Sequence, residues 1–339
     1  MRMFRRAYHL GLFCLLLIPQ ASAQSYTVTD LGTLPGGSFS SAQGINASGH
    51  VTGTANSANG DTHPFLWTQN AGMVDIAVTA VPSGESLQGF WINSTDQIVG
   101  SPGGGVAQQA FFYNGNFSYL SGGLPSSAKG INDSGQIAGH IAGALPLFHA
   151  AIWPSPTSAP VDIATTVATA CGTSPSGDSD ASFVNNAGLV AGHTSKHAFL
   201  YNILTAQVTC IPTPGPLSIA GAVNANGQVT VGYFDAGPSF QKTLIWTPTR
   251  APITIPTLNN FTRVIGGVIN DSGQVVGTLC TVCAGVDDLD RTAILQICGY
   301  PGRPECAAEG GGGEVFRQQE TSCTISSLRH IYAGKPSLN

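Results

Sequence analysis

The chain has 339 residues, of which only 9% are charged, with 43 glycines and a formal net charge of −5. Thirteen basic against eighteen acidic residues exclude a nucleic-acid partner, because phosphate binding demands clustered Lys and Arg. So few ion pairs and so many turn formers argue against helices and for an all-β chain.

The N-terminus reads as a leader. Arg2, Arg5 and Arg6 form a basic start, Leu10 to Ile18 an apolar stretch, and Ala21-Ser22-Ala23 a cleavage signature. The apolar stretch is shorter than the roughly 20 residues a membrane span needs. Cys14 follows Phe13 and is filler within it, not a lipid attachment point. A mature chain from Gln24 carries ten basic against eighteen acidic residues. No later segment is long and apolar enough to cross a membrane as a helix, so the expectation is an exported, soluble protein, extracellular or periplasmic.

From residue 24 to 297 one pattern recurs six times. Its copies are Gly44-Ile-Asn-Ala-Ser-Gly-His-Val-Thr-Gly53, Trp91 to Gly100, Gly130 to Gly139, Phe183 to Gly192, Ala222 to Gly232 and Val268 to Gly277. The anchoring asparagines are 46, 93, 132, 185, 224 and 270, and a period of this size marks a repeat architecture. Each unit predicts four strands. A strand enters the Asn; the Asn-x-x-Gly step is a tight turn, since Asn bonds its own backbone and Gly accepts a positive φ; an alternating apolar strand follows.

The third strand is aromatic: His63-Pro-Phe-Leu-Trp67, Gln109 to Tyr113, His149 to Trp153, His197 to Tyr201, Lys242 to Trp246, and Arg291 to Leu295, where the aromatic end is lost. A fourth is plain at Met73–Ile76, Val161–Ile163 and Ile253–Ile255 and poorly defined in the second and fourth copies. The sixth copy has none, while Tyr26 to Gly32 looks like an orphan fourth strand. The expected fold is therefore a single β-propeller of six four-stranded blades, closed by the N-terminal strand so that neither end is an open edge. Residues 298–339, with Gly310 to Gly313, read as a Gly-rich linker and an unassigned tail.

The run from Asp30 through the first repeat to His63-x-Phe-Leu-Trp67, with His197-Ala198-Phe199 intact in the fourth copy, resembles the bacterial extracellular HAF-repeat family. The resemblance covers roughly residues 26 to 297. It implies export, a bacterial source and a propeller-like fold, and it implies no established activity.

The chemistry on offer is sparse. There is no Gly-x-Ser-x-Gly elbow and no His-Glu-x-x-His helix. The repeats hold one Glu, Glu85, so a carboxylate pair for glycoside hydrolysis would have to draw on Asp. The aspartates stand in turns (Asp133, Asp271) or beside fourth strands (Asp75, Asp162), where architecture alone would put them. His63, His149 and His197 share one repeat position; His140 and His193 each follow a repeat-ending Gly.

A ring of histidines could converge on a metal, yet Gln109 and Lys242 fill the first position in sister copies, and Lys accepts no hydrogen bond. The histidines are therefore expected to bond within their own blades. Asn46, Asn93, Asn132 and Asn270 head Asn-x-Ser/Thr triplets as a by-product of turn chemistry. The Trp and Tyr residues ending the third strands are expected in the core rather than on a sugar platform.

Seven cysteines follow the leader: 171, 210, 280, 283, 298, 306 and 323. Export favours disulfides over a zinc site at Cys280, Cys283, Cys298 and Cys306, and the odd number leaves one over. Asp287, Asp288 and Asp290 could hold calcium, although a solvated loop is the plainer reading. No catalytic, cofactor or metal residue is expected elsewhere. The sequence thus points to a non-catalytic binding or surface-interaction module with a glycan or cell-surface protein as ligand. The alternatives are a propeller enzyme acting on polysaccharide and a structural matrix component.

Overall fold

The computed structural model describes residues 29–77, 84–104, 109–122, 125–143, 147–234, 241–256, 263–280, 291–297, 315–318 and 321–327. These form six antiparallel sheets, taken up in chain order. The first holds β1 (Ser40–Ile45), β2 (Val51–Asn56), β3 (Thr62–Thr68) and β4 (Gly72–Asp75). The second holds β5 (Ser86–Ile92), β6 (Ile98–Gly104), β7 (Phe111–Tyr113) and β8 (Phe117–Tyr119). The third holds β9 (Ser126–Ile131), β10 (Ile137–Ala142), β11 (Phe148–Trp153) and β12 (Val161–Asp162), and is followed by one short helix, α1 (Ala164–Ala170). The fourth comprises β13 (Ser179–Val184), β14 (Leu189–Thr194), β15 (Ala198–Asn202) and β16 (Gln207–Cys210). The fifth comprises β17 (Leu217–Val223), β18 (Val229–Phe234), β19 (Gln241–Thr247) and β20 (Arg250–Thr254).

The sixth sheet corrects an expectation. It contains β21 (Arg263–Ile269), β22 (Gln274–Cys280) and β23 (Arg291–Ile297), and the place beside β23 is taken by β25 (Thr321–Ser327), which also pairs with β24 (Val315–Gln318). The partner of β23 is thus a C-terminal hairpin from the segment read as linker and tail. Residues 29–33 carry no strand, and 24–28 lie outside the described residues. Chain entropy favours this choice. A partner about 25 residues away closes a far shorter loop than one about 260 residues away, a difference of about 2 kcal/mol. The second and fourth sheets also have the fourth strands, β8 and β16, that their sequence left poorly defined.

Every first-to-second-strand hairpin is bulged at the same place. Gln43, Phe90, Lys129 and Ser182 are each skipped in the ladder, just before the small-β-branched-Asn step. The extra residue bends the strand and re-aims its side chain. It also brings a carbonyl down onto the repeat-ending glycine: a Cβ on Gly53 would lie 2.0 Å from the Ser41 carbonyl oxygen, and one on Gly139 1.9 Å from that of Ser127. The phenylalanine of the third strand presses on the same spot, with Phe111 ring atoms 2.5 Å from a Cβ on Gly100 and Phe199 2.4 Å from one on Gly192. The invariant end of the motif and the Phe of His-Ala-Phe are thus two sides of one contact.

The core lies between sheets. Val99, Ala110 and Phe112 of the second sheet pack with Ala128, Ile131, Ile137 and Trp153 of the third. Ala138 and Ile152 of the third pack with Val184, Val190, Phe199 and Tyr201 of the fourth, and Leu200 of the fourth with Val229, Leu244 and Trp246 of the fifth. As expected, Trp153, Tyr201 and Trp246 are buried core residues, each worth a few kcal/mol of apolar burial.

Candidate functional site

Three arrangements of polar side chains emerge, and two of them are structural. The first is an asparagine ladder. In the first five repeats the Asn side-chain oxygen accepts the backbone N–H two and four residues on, as Asn132 Oδ1 does from Ser134 at 3.1 Å and Gln136 at 2.9 Å, and in the sixth Asn270 Oδ1 accepts from Gln274 at 2.9 Å. This is the turn chemistry the sequence predicts. The Nδ2 group, however, donates to the carbonyl of the next repeat's Asn: Asn46 to Asn93 at 3.0 Å, Asn93 to Asn132 at 3.1 Å, Asn132 to Asn185 at 3.0 Å, Asn185 to Asn224 at 2.8 Å and Asn224 to Asn270 at 2.9 Å.

A parallel set runs one residue later. Ser94 N donates to Asp133 Oδ1 at 2.9 Å, Asp133 N to Asn186 Oδ1 at 2.9 Å, and Ala225 N to Asp271 Oδ1 at 2.7 Å. Burial pushes the Asp133 carboxyl up, but its bonds to Ser94 and Asn186 prevail and hold it below its ordinary value. The second repeat lacks the turn glycine. There Asp96 takes the positive φ of 62°, which Asp tolerates better than most residues, and receives His50 Nδ1 and Asn46 Nδ2, both at 2.8 Å.

The second arrangement is a buried cluster between the third and fourth sheets. Lys129, from the β9 bulge, and His140 Nδ1, at 3.2 Å from β10, both meet Asp180 Oδ2 on β13. His193 on β14 is the cross-strand partner of Asp180. Burial pushes Asp180 up, yet the His140 bond and the Lys129 charge outweigh it and hold the carboxyl well below the usual carboxylate range. Among the described residues Asp180 Oδ1 and His193 Nδ1 are buried without a protein partner. Burial lowers His193, Lys129 and His140 push the same way, and Asp180 and Asp178 oppose them. In the preceding interface the matching contact is a neutral one, Ser101 to Ser127.

The third arrangement is a groove of about 650 Å³ on the first sheet. Its apolar lining is Leu34, Pro35, Ala58, Met73 and Val74, and its polar lining is Ser57, Asn59, Asp61, His63 and Asp75. His63 Nδ1 bonds Asp75 Oδ2 at 2.7 Å across β3 and β4, while Asp75 Oδ1 accepts Ala77 N at 2.8 Å. That bond raises His63 above its ordinary value; burial opposes it, and the charges of Asp75 and Asp61 assist. Asp61 Oδ2 is held by Asn59 Nδ2 at 2.6 Å and Gly84 N at 2.8 Å. Ser57 Oγ bonds Asn59 Oδ1 and, at 3.1 Å, the Asp61 carbonyl.

The structure gives His63 and His149 the within-sheet bonds expected of them, His149 Nδ1 meeting Asp162 Oδ2 at 2.8 Å as His63 meets Asp75. It corrects the expectation for His140, whose Nδ1 reaches Asp180 on the next sheet, where Lys129 also converges. In the fourth sheet Cys210 occupies the aspartate's place, opposite Phe199 as Asp75 is opposite Phe65, and is joined to Cys171 at the end of α1, with Cα atoms 5.1 Å apart. The disulfide is of the kind expected for export. Cys280 ends β22, Cys323 lies in β25, and Cys283, Cys298, Cys306, Asp287, Asp288 and Asp290 fall outside the described residues. Among the described residues no three His, Cys, Asp or Glu side chains are grouped to hold a metal, and no helix is long and apolar enough to cross a membrane. Sequence reasoning missed the groove, since Leu34 and Pro35 precede the first repeat, and it missed Lys129, whose role depends on the bulge.

No family model and no curated protein matches the chain. Among solved structures it is similar to a streptogramin B lyase, at 12% identity and a TM-score of 0.46 over 85% of this chain and 93% of that one. It is also similar to TolB from Acinetobacter baumannii, at 10% identity and a TM-score of 0.44 over 68% of this chain, and to a puromycin hydrolase, at 9% and 0.38 over 75%. All three are β-propeller proteins. The chain spans 60% of the TolB structure and 52% of the hydrolase.

Proposed function

We propose that this is an exported six-bladed β-propeller of the HAF-repeat kind, acting as a non-catalytic binding module with the groove beside β4 as its ligand seat. Support for the propeller comes from six repeats that each form one sheet, with core clusters shared between neighbouring sheets. Support for export comes from the leader and from the Cys171–Cys210 disulfide.

One observation carries the binding reading. The ionisable groups of the groove already hold strands and loops together, His63 on Asp75 and Asp61 on Asn59 and Gly84. Ser57 Oγ is engaged with Asn59 and the Asp61 carbonyl, so among the described residues of the groove no nucleophile stands against a base. What the groove offers a ligand is shape, an apolar lining and fixed polar groups.

The test is thermal melting of the mature chain against polysaccharides, peptidoglycan fragments and peptides. A ligand of the folded state at a hundred times its Kd stabilises by about 2.7 kcal/mol, so one class is expected to raise the Tm, and Val74→Lys to abolish the rise. Release of a cleaved product, lost on substituting a groove residue, would overturn the non-catalytic reading in favour of an enzyme. Self-association without any ligand shift would favour a structural matrix role.

A further inference from the structure

We propose that the groove of the first sheet selects organic cations: an ammonium group on an apolar body, with the charge seated at Asp61 and Asp75 and the body along Leu34, Pro35 and Val74. This rests on reading the groove as the ligand seat and names the class of ligand it takes.

The charges of the lining carry the argument. Its ionisable residues are Asp61, His63 and Asp75, and none of its ten residues is Lys or Arg. With His63 neutral the polar lining carries two negative charges; with His63 protonated it still carries one. An anion is repelled in either state. A neutral apolar ligand would cover the carboxylates and return nothing for the water they lose, and a neutral hydroxyl returns a hydrogen bond without the charge an ammonium group adds.

A cation on an apolar body satisfies both parts of the groove at once. The carboxylates are fixed before it arrives: Asp61 by Asn59 and Gly84, Asp75 by His63 and Ala77. Little ordering is therefore left for binding to impose. A bare divalent metal is the poorer occupant. It wants several oxygen ligands converging on one point, and the described residues bring no such trio together.

His63 makes the preference depend on pH. The groups acting on it are Asp75 and Asp61, and together they raise it above its ordinary value of 6.5. Its proton competes with the ligand for the same field. Cation affinity is therefore lowest at acid pH and rises as the pH climbs through the raised value and the proton leaves.

The experiment is calorimetric titration of the mature chain with three probes of one shape: benzylammonium, benzyl alcohol and benzoate. Benzylammonium is expected to bind at least tenfold more tightly than benzyl alcohol, with benzoate weakest. Asp61→Asn should erase most of that preference while leaving benzyl alcohol unchanged. His63→Gln, which places there the residue found at sister position 109, should bind benzylammonium with no pH dependence between about 6 and 8, where the probe stays charged.

Equal affinity for benzyl alcohol and benzylammonium, or no benzylammonium binding at millimolar concentration, overturns the proposal. In the first case probe binding lost in Val74→Lys leaves the binding module standing and removes only its charge preference. In the second, a Tm shift with a glycan or peptide does the same, whereas no shift with any ligand removes both.

Discussion

Histidines do opposite work in two regions built from the same repeat. In the first sheet His63 sits on β3 beside Asp75 at the edge of an open groove, and its proton is held more tightly than in a free chain. Between the third and fourth sheets His193 sits on β14 beside Asp180, yet burial and the nearby Lys129 and His140 make its proton harder to keep. Each has an aspartate for a neighbour, so the aspartate does not decide the outcome. What decides it is whether the carboxylate bonds the ring itself, as Asp75 does His63, or is already occupied by other cations, as Asp180 is by Lys129 and His140.

The largest test of this contrast converts one site into the other. Cys171→Ser with Cys210→Asp removes the disulfide and restores to the fourth sheet the aspartate its sisters have. Opening a 39-residue loop costs about 4 kcal/mol on the chain-entropy account. The double variant should lose most of that in urea unfolding, and the His197 ring N–H should appear as a hydrogen-bonded proton by NMR. Its absence would mean that the His–Asp tie needs more than its two residues.

Next comes Asp180→Asn, which removes the charge on which Lys129 and His140 converge. A side chain 12% exposed facing a lysine 33% exposed puts the cost near the lower end for broken buried pairs, about 3 kcal/mol by urea midpoint. A loss as small as that of a surface ion pair would show that the cluster is solvated after all. Asn132→Ala should cost about 2 kcal/mol, since it removes two turn bonds and the rung to Asn185 together.

The smallest effects are in the pH profile, and their signs differ. His193 lies below 6.5 when folded, so its contribution is whole above that pH and falls away as the pH drops. His63 lies above 6.5, so its contribution is whole below that pH and is lost as the pH rises through the raised value. His193→Phe should flatten the acid side of the Tm profile, and His63→Gln the alkaline side. Both variants tilting the same arm would break the comparison.

Much of this was legible in the sequence. The Asn-x-x-Gly turns, the alternating second strand and the aromatic third strand follow from local chemistry, and each is where residue type predicts it. The expectation that His63 and His149 bond within their own sheets also holds, because Lys242 in a sister copy rules out a shared acceptor role. The ladder's other half was not legible: the donor Nδ2 of Asn93 finds Asn132 only because two sheets stack, and no spacing rule over 39 residues predicts that.

Lys129 was hidden for a related reason. A bulge turns it from a residue between small neighbours into the reach of Asp180 on the next sheet. The partner of β23 was misjudged because Tyr26 to Gly32 read as a strand while the segment holding β24 and β25 read as tail, although it is far nearer along the chain.

The asparagine ladder also says where this protein can change. Its rungs fix one margin of every sheet to the next, whatever lies between them, and the intervening stretches of 47, 39, 53, 39 and 46 residues differ freely. The ladder works like the sewn spine of a book, whose pages can be recut along the opposite edge without loosening the binding. Insertions far from the spine leave the order of the sheets untouched, so new loops can be tried one repeat at a time while the rest of the molecule stays in register.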